Sequence, residues 1–239
     1  QSKCAAIVIT AIAPDPTGYG RIVRDDTGAV RAIVEHRDAS DEQRALREIN
    51  AGMYCFDTAL LLSALGKIGC RNTQQEYYLT DTIGILIDEG HRVESYQTGF
   101  DETLGVNDRL QLQEAGRILN TRILNRHMVN GVTLVDPAST SIDDSVSIGP
   151  DVVILPGCSL SDHTTVGEES TIGPDTHLTD ARVGARTRLD HVTAECCTIE
   201  ENAEIGPYVH IRPSSRVGAG CRIGNFVEIK NSTIGAGTL

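Results

Sequence analysis

Apolar residues recur every six positions along the second half of the chain. From Ile142 the count runs through Ile148, Ile154, Leu160, Val166, Ile172 and Leu178; a five-residue step then reaches Val183, and the count resumes at Leu189. From Ile199 it continues through Ile205, Ile211, Val217, Ile223 and Ile229, and another short step reaches Ile234. A helix would repeat at about 3.6 and a half-buried strand at about 2, so this period predicts a parallel β-helix. Each hexapeptide supplies one short strand and a corner. The six-spaced side chains should fill the shaft, with Ser, Thr, Asp and Arg between them facing solvent. Glycine directly follows the apolar residue at Gly149, Gly167, Gly173, Gly184, Gly206, Gly218, Gly224 and Gly235. That placement predicts tight corners at which a Cβ would clash.

The first half has a different rhythm. Short β-like runs alternate with helical stretches up to about residue 106, the pattern of an α/β domain. Ala5 to Thr10 reads as a buried strand. Ile22–Arg24 and Ala32–Glu35 flank Asp26-Thr27-Gly28, a hairpin. Ser40 and Gln43 form a capping box opening a helix over Asp41 to Glu48, and Gly52 to Phe56 reads as the next strand. Asp57 and Thr80 are the expected caps of two further helices, carrying Leu60 to Leu65 and Ile83 to Ile87, and Val93 to Thr98 is a last strand. From Asp108 to His127 a polar helix should present Leu112, Ala115, Leu119 and Ile123 on one face, ending at Asn130-Gly131. The expected organisation is an α/β domain over 1–107, a linker helix over 108–130 and a β-helix over 131–239.

Composition narrows the setting. The 239 residues are 40% hydrophobic and 23% charged, ordinary for a globular protein. A formal net charge of −12 disfavours non-specific attraction to nucleic acid or an anionic membrane. No apolar run is long enough to span a bilayer, and no secretory pattern opens the chain. Seven cysteines at scattered spacings match neither a disulfide framework nor a metal site, which points to reduced thiols and a cytoplasmic location. Both ends look cut. Gln1 stands close to a strand, and Ile234-Gly235-Ala236-Gly237 begins a repeat with no capping segment after it, so a piece of a longer protein is expected.

Candidate chemistry is weak residue by residue. Two glycines in Pro16-Thr17-Gly18-Tyr19-Gly20-Arg21 would let backbone N–H groups approach a sugar or phosphate, although taken alone a plain tight turn explains them better. Glu35 ends a strand, where a carboxylate is commonly solvated. Asn50-Ala51-Gly52 reads as a helix C-cap, and Asn107 as the N-cap of the linker helix.

In series the motifs are specific. T-G-Y-G-R-I, I-V-E-H-R-D-A-S-D-E-Q-R, E-I-N-A-G, Q-Q-E-Y-Y-L-T-D and G-V-N-D-R-L-Q-L, followed by a hexapeptide β-helix, closely resemble one family over essentially the whole chain. It is the bacterial bifunctional N-acetylglucosamine-1-phosphate uridylyltransferase/glucosamine-1-phosphate N-acetyltransferase family. The resemblance implies a partial Rossmann-like pyrophosphorylase domain, a long helix, and a left-handed β-helix that packs as a homotrimer. It implies Mg²⁺-dependent uridylyl transfer from UTP to N-acetylglucosamine-1-phosphate, and acetyl transfer from acetyl-CoA to glucosamine-1-phosphate. Its site residues carry over to Gly20, Glu35, Asn50 and Asn107 for UDP-N-acetylglucosamine, with Asn107 also the Mg²⁺ ligand. Arg212 in I-R-P and Lys230 in V-E-I-K carry over as sugar-phosphate cations. Their eighteen-residue separation is one coil if each side of the shaft takes six, which would stack them on one edge around one phosphate.

The family's L-x-A-G-x-G-T-x-M nucleotide loop, its Mg²⁺-sharing aspartate and its H-L-T-Y-x-G-D histidine run are not among these residues. The chain by itself is therefore expected to be inactive in both reactions. Two rivals remain at this stage. One is another sugar-1-phosphate nucleotidyltransferase with a β-helix tail, against which E-I-N-A-G and G-V-N-D-R-L-Q-L argue. The other is a hexapeptide scaffold, or a carbonic anhydrase of the γ type. For the latter, His163, His177 and His191 fall at three different hexapeptide positions, poorly placed for one zinc.

Overall fold

The computed structural model describes residues 4–106 and 108–239. It divides into two compact units, Gln1–Leu112 and Gln113–Leu239, each with its own apolar core.

Among the described residues, unit one holds a five-stranded sheet in the order β3-β2-β4-β1-β5. The strands are β1 (Ala6–Ile12), β2 (Arg21–Arg24), β3 (Val30–Val34), β4 (Glu48–Phe56) and β5 (Val93–Thr98). β1 pairs parallel to β5 and antiparallel to β4, and β2–β3 is the expected hairpin. Helices α1 (Asp41–Arg44), α2 (Thr58–Leu65) and α3 (Asp81–Asp88) connect the strands. Val8, Ile22, Ile33 and Val93 from the sheet join Ala64, Ile83 and Leu86 from the helices in one core.

Three local expectations change. The Ser40/Gln43 capping box forms, but α1 stops at Arg44 and the chain enters β4 at Glu48. Asn50-Ala51-Gly52 is therefore no helix cap: it lies inside β4, where the register against β1 shifts between Val8↔Tyr54 and Thr10↔Asn50 and Gly52 takes φ +74°. A bulge of this kind re-aims side chains while the strand continues. Thr80 stands at the start of α3 without a side-chain capping bond; its hydroxyl is used elsewhere.

Helix α4 (Arg109–Val129) is less amphipathic than its sequence suggests, with Leu112 and Leu119 60% and 57% exposed. Its last turns meet the first β-helix coil. Leu124 is buried in the shaft cluster, Asn120 bonds both Thr140 O and the Ile142 N–H, and Arg126 pairs with Asp144 at 2.7 Å.

Beyond α4 the chain is a parallel β-helix whose strands, among the described residues, stack into three six-stranded sheets. The six-spaced residues pair in register from coil to coil: Leu160↔Leu178↔Ala194 in one sheet, Val166↔Val183↔Ile199 in the second, Ile172↔Leu189↔Ile205 in the third. Ala194 fills the place between Leu189 and Ile199 that the sequence pattern left blank. A second inward position lies two residues before each of these and takes small side chains. Val146, Val152, Cys158, Ala181, Cys197, Ala203 and Cys221 are buried there. So are Thr164, Ser170, Thr176, Thr187 and Ser215, against the expectation that Ser and Thr face out. Their hydroxyls are satisfied across coils: Ser170 Oγ donates to Gly184 O at 3.1 Å and accepts from the Thr187 N–H.

On one edge the predicted Cβ clash is present at four of the glycines, and its source is the neighbouring coil. At Gly149, Gly167, Gly184 and Gly218 the reason is not backbone twist but contact with the next coil. A Cβ at Gly184 would stand 2.4 Å from Glu201 N, and one at Gly167 would stand 2.4 Å from Ala185 N. The left-handed backbone falls two residues further on and is carried mostly by ordinary residues: Asp151, Glu169, Arg186 and Asn202 have φ of 59°, 58°, 53° and 58°. The other two edges carry matching columns, His191, Tyr208 and Phe226 on one, Asp162, Asp180 and Asn231 on the other.

Candidate functional site

In unit one the fold brings three residues from distant sequence positions together. Gly20 ends the Pro16–Gly20 turn immediately before β2, Glu35 follows β3, and Asn50 sits on the bulge of β4. The Asn50 amide N–H donates to Gly20 O at 2.9 Å. The Glu35 carboxylate faces Gly20 so closely that a Cβ there would lie 3.4 Å from both its oxygens and 3.2 Å from Ile33 Cγ2. Only glycine leaves that face open.

Asn50 is held at both ends of its amide. Its Oδ1 accepts from the Gly52 N–H at 3.1 Å and its Nδ2 donates to the Tyr54 hydroxyl at 2.7 Å. Each amide atom keeps further capacity for a ligand. Burial pushes the Tyr54 phenol up; the Asn50 bond pulls it back and the Glu35 charge adds to the rise, so the phenol stays neutral. Thr80 Oγ1 donates to Glu35 Oε1 at 3.1 Å, which fixes the carboxylate from the other side.

A cavity of about 500 Å³ opens beside Glu35, lined further by Asp38, Lys67, Arg71, Asn72, Tyr78 and Asp81. Asp38 accepts from both the amide and the hydroxyl of Thr73, and these bonds hold its carboxyl below the usual range. Burial, and then the Asp38 charge, push the Asp81 carboxyl up. The lining sets the carboxylates Glu35, Asp38 and Asp81 beside the cations Lys67 and Arg71, so donors and acceptors share one wall.

Tyr54 and Thr80 escaped the sequence reading. Thr80 stood in the Q-Q-E-Y-Y-L-T-D run but was assigned to helix capping. In a regular strand Asn50 and Tyr54 would share a face about 13 Å apart; the bulge between them closes that gap to a hydrogen bond. Asn107 lies outside the described residues. Among the described residues no group of three His, Cys, Asp or Glu side chains is placed to hold a metal ion.

In unit two, Arg212 and Lys230 directly follow Ile211 and Ile229, which pair in register. The Arg212 N–H donates to Ile229 O at 2.8 Å, so the two cations occupy equivalent places on successive coils. Arg212 Nη1 pairs with Glu228 Oε1 at 3.0 Å, and that bond lowers the Glu228 carboxyl. Any anion approaching the Arg212 guanidinium must compete with Glu228. A shallow cleft of about 810 Å³ beside Arg212 is lined by His191, His210, Tyr208, Phe226 and Glu228. Tyr208 and Phe226 stack at 5.4 Å, and His191 lies 4.8 Å from Tyr208. The three histidines weighed for zinc are separately engaged or placed: His177 bonds Ser159, His191 lies between Asp175 and Asp190, and His163 is exposed.

Two family models match the chain. Residues 1–101 match a nucleotidyl transferase model, and residues 196–231 match the bacterial transferase hexapeptide model of six repeats. Fold and models together define the class: a nucleotidyl transferase α/β unit followed by a left-handed parallel β-helix of hexapeptide repeats. Three proteins named Bifunctional protein GlmU align along nearly all of it. Those of Streptomyces avermitilis and Geobacillus thermodenitrificans are 51% and 50% identical, each over 98% of this chain and 49% and 51% of their own length. That of Brevibacillus brevis is 47% identical over 100% of this chain and 52% of its own. The chain is similar to GlmU proteins over nearly its whole length and spans about half the length of the curated relatives it matches.

Proposed function

We propose that the protein of which this chain is a part makes UDP-N-acetylglucosamine by two transfers. Acetyl-CoA acetylates glucosamine-1-phosphate at the β-helix, and UTP then uridylylates N-acetylglucosamine-1-phosphate at the α/β unit with release of pyrophosphate. The observation that carries the reading is the convergence of Gly20, Glu35 and Asn50, whose hydrogen bonds and missing Cβ suit an acetamido sugar. Glu35 and Asn50 would bind the sugar hydroxyls, and the open face at Gly20 would admit the acetamido group. In the β-helix, Arg212 and Lys230 would clamp the phosphate of glucosamine-1-phosphate and so hold its amine in position. The resemblance assigns Mg²⁺ to Asn107, an oxygen donor suited to that ion.

A homotrimer through the β-helix and a cytoplasmic location complete the reading. Among the described residues no helix is long and apolar enough to cross a membrane. The deciding experiment is ligand protection of the full-length protein against thermal unfolding. N-acetylglucosamine-1-phosphate should raise the Tm of the uridylyltransferase part more than glucose- or mannose-1-phosphate does. Equal or stronger protection by either of those would move the protein to another sugar-1-phosphate nucleotidyltransferase. Residues 1–239 alone should show neither transfer above background, and enzyme-dependent acetylation by them would refute that part of the proposal.

A further inference from the structure

The side chain of Arg21 is 0% exposed, an unusual place for a guanidinium. Its hydrogen-bond partners among the described residues are two carbonyls and a ring nitrogen; no carboxylate bonds it directly, and Asp15 acts on it only through its charge. Nη1 donates to Tyr19 O, and Nη2 donates to His36 Nδ1 at 3.2 Å and to Arg44 O at 3.4 Å. Nε has no partner at all. A buried charge in this state is weak support for stability, because a well-packed apolar side chain of similar volume commonly serves as well or better. What the guanidinium does achieve is geometric. Its three acceptors come from three separate segments: Tyr19 in the T-G-Y-G turn, His36 two residues after β3, and Arg44, the last residue of α1.

Two of those acceptors are chain neighbours of proposed sugar ligands. Tyr19 precedes Gly20, and His36 follows Glu35. Because arginine only donates, His36 Nδ1 must be the acceptor, which fixes the ring tautomer as well as its position. One planar fork thus ties the turn that presents Gly20 to the segment that presents Glu35, and sets the 3.4 Å approach between a Cβ at Gly20 and the Glu35 oxygens. A lysine would offer a point charge in the same place without the fork.

We propose that Arg21 is a positioning residue for the sugar-phosphate site of the α/β unit, holding Gly20 and Glu35 at binding distance through Tyr19 O and His36 Nδ1. The proposal rests on the uridylyltransferase reading above. Arg21 touches no substrate. Its effect is confined to the sugar side of the reaction, since its partners flank only sugar-binding residues.

The test uses the full-length protein with Arg21→Met, Arg21→Lys, His36→Ala and the Arg21→Met/His36→Ala double variant. Arg21→Met should raise the KM for N-acetylglucosamine-1-phosphate about tenfold, the effect of loosening one well-placed hydrogen-bonding pair. The KM for UTP, the acetyl transfer rate and the Tm should stay at the parent values. Arg21→Lys should recover part of the loss, and His36→Ala should raise the same KM by less. The double variant should be no worse than Arg21→Met, because both changes remove one linkage. An unchanged sugar-phosphate KM in folded Arg21→Met overturns the proposal. So does an equal rise for UTP, or a parallel loss of acetyl transfer, which would mark a general structural role. Should Arg21→Met fail to fold, unchanged sugar-phosphate KM in both Arg21→Lys and His36→Ala overturns it equally. A parent enzyme that does not turn over N-acetylglucosamine-1-phosphate sinks the functional reading instead, a result distinct from all of these.

Discussion

Asn50 shows how much a single residue depends on its neighbours. Its side chain is held by Gly52 and Tyr54 at the bulge of β4, and its backbone by Gly20 where β4 pairs with β2. The residue type was readable as a sugar ligand through the motif series. The bulge was not, because Asn-Ala-Gly is equally good helix-ending sequence and only pairing with β1 decides between the two. Glu35→Ala and Asn50→Ala in the full-length protein should each weaken N-acetylglucosamine-1-phosphate binding by about 1–3 kcal/mol, the cost of truncating one partner of a part-buried hydrogen bond. Acetyl transfer should be untouched. Titration calorimetry and steady-state kinetics check both halves, and unchanged uridylyl-transfer kinetics in both variants would remove these residues from the site. Thr80 makes a complementary point: a hydroxyl at a helix start invited a capping assignment, and the carboxylate it serves lies 45 residues away in sequence.

At the scale of the element, the hexapeptide period carried nearly all of the β-helix. Apolar identity at every sixth position is a strong local constraint that few other folds impose. The period left out what small residues do. Cys158, Cys197 and Cys221 looked like unattached thiols and are wall residues of the shaft, and burial raises the Cys197 thiol to about 12. Glycine looked like a conformational device and proves to be a spacing device on one edge. Gly184→Ala should therefore destabilise the β-helix strongly, by about 2 kcal/mol or more, because the new methyl meets backbone that cannot swing away. Glu169→Gly should change stability by less than about 1 kcal/mol, since relief of a left-handed backbone offsets the added freedom of the unfolded chain. Thermal or denaturant melting of the two variants tests the contrast, and equal effects would contradict it.

The whole molecule has two independent cores, and damage should stay where it is made. Ile172 is 0% exposed at the centre of the shaft, so Ile172→Asp introduces an unpaired charge into a dry interior. Two-transition melting should show the β-helix transition lost or greatly lowered while that of the α/β unit persists; unaltered melting would mean the register of the shaft is wrong. The division was visible in sequence as a change of period. The two ligand sites were visible only through the motif series, because nothing in the spacing of Gly20, Glu35 and Asn50 announces that a hairpin, a short helix and a bulge will bring them together.

Arg212 and Lys230 hold equivalent places on adjoining coils, and this has a metric consequence. Neighbouring strands of a sheet lie about 4.8 Å apart, so side chains rooted on one face of the shaft are graduated like marks on a ruler. Their roots can be separated along the axis by one mark or two, never by a fraction. A single phosphate bridges one interval between flexible cationic arms, whereas two intervals would call for a longer anion. Under the phosphate role proposed for this pair, anion length would be counted by the coils, and moving either cation by one coil would change the class of anion the face accepts.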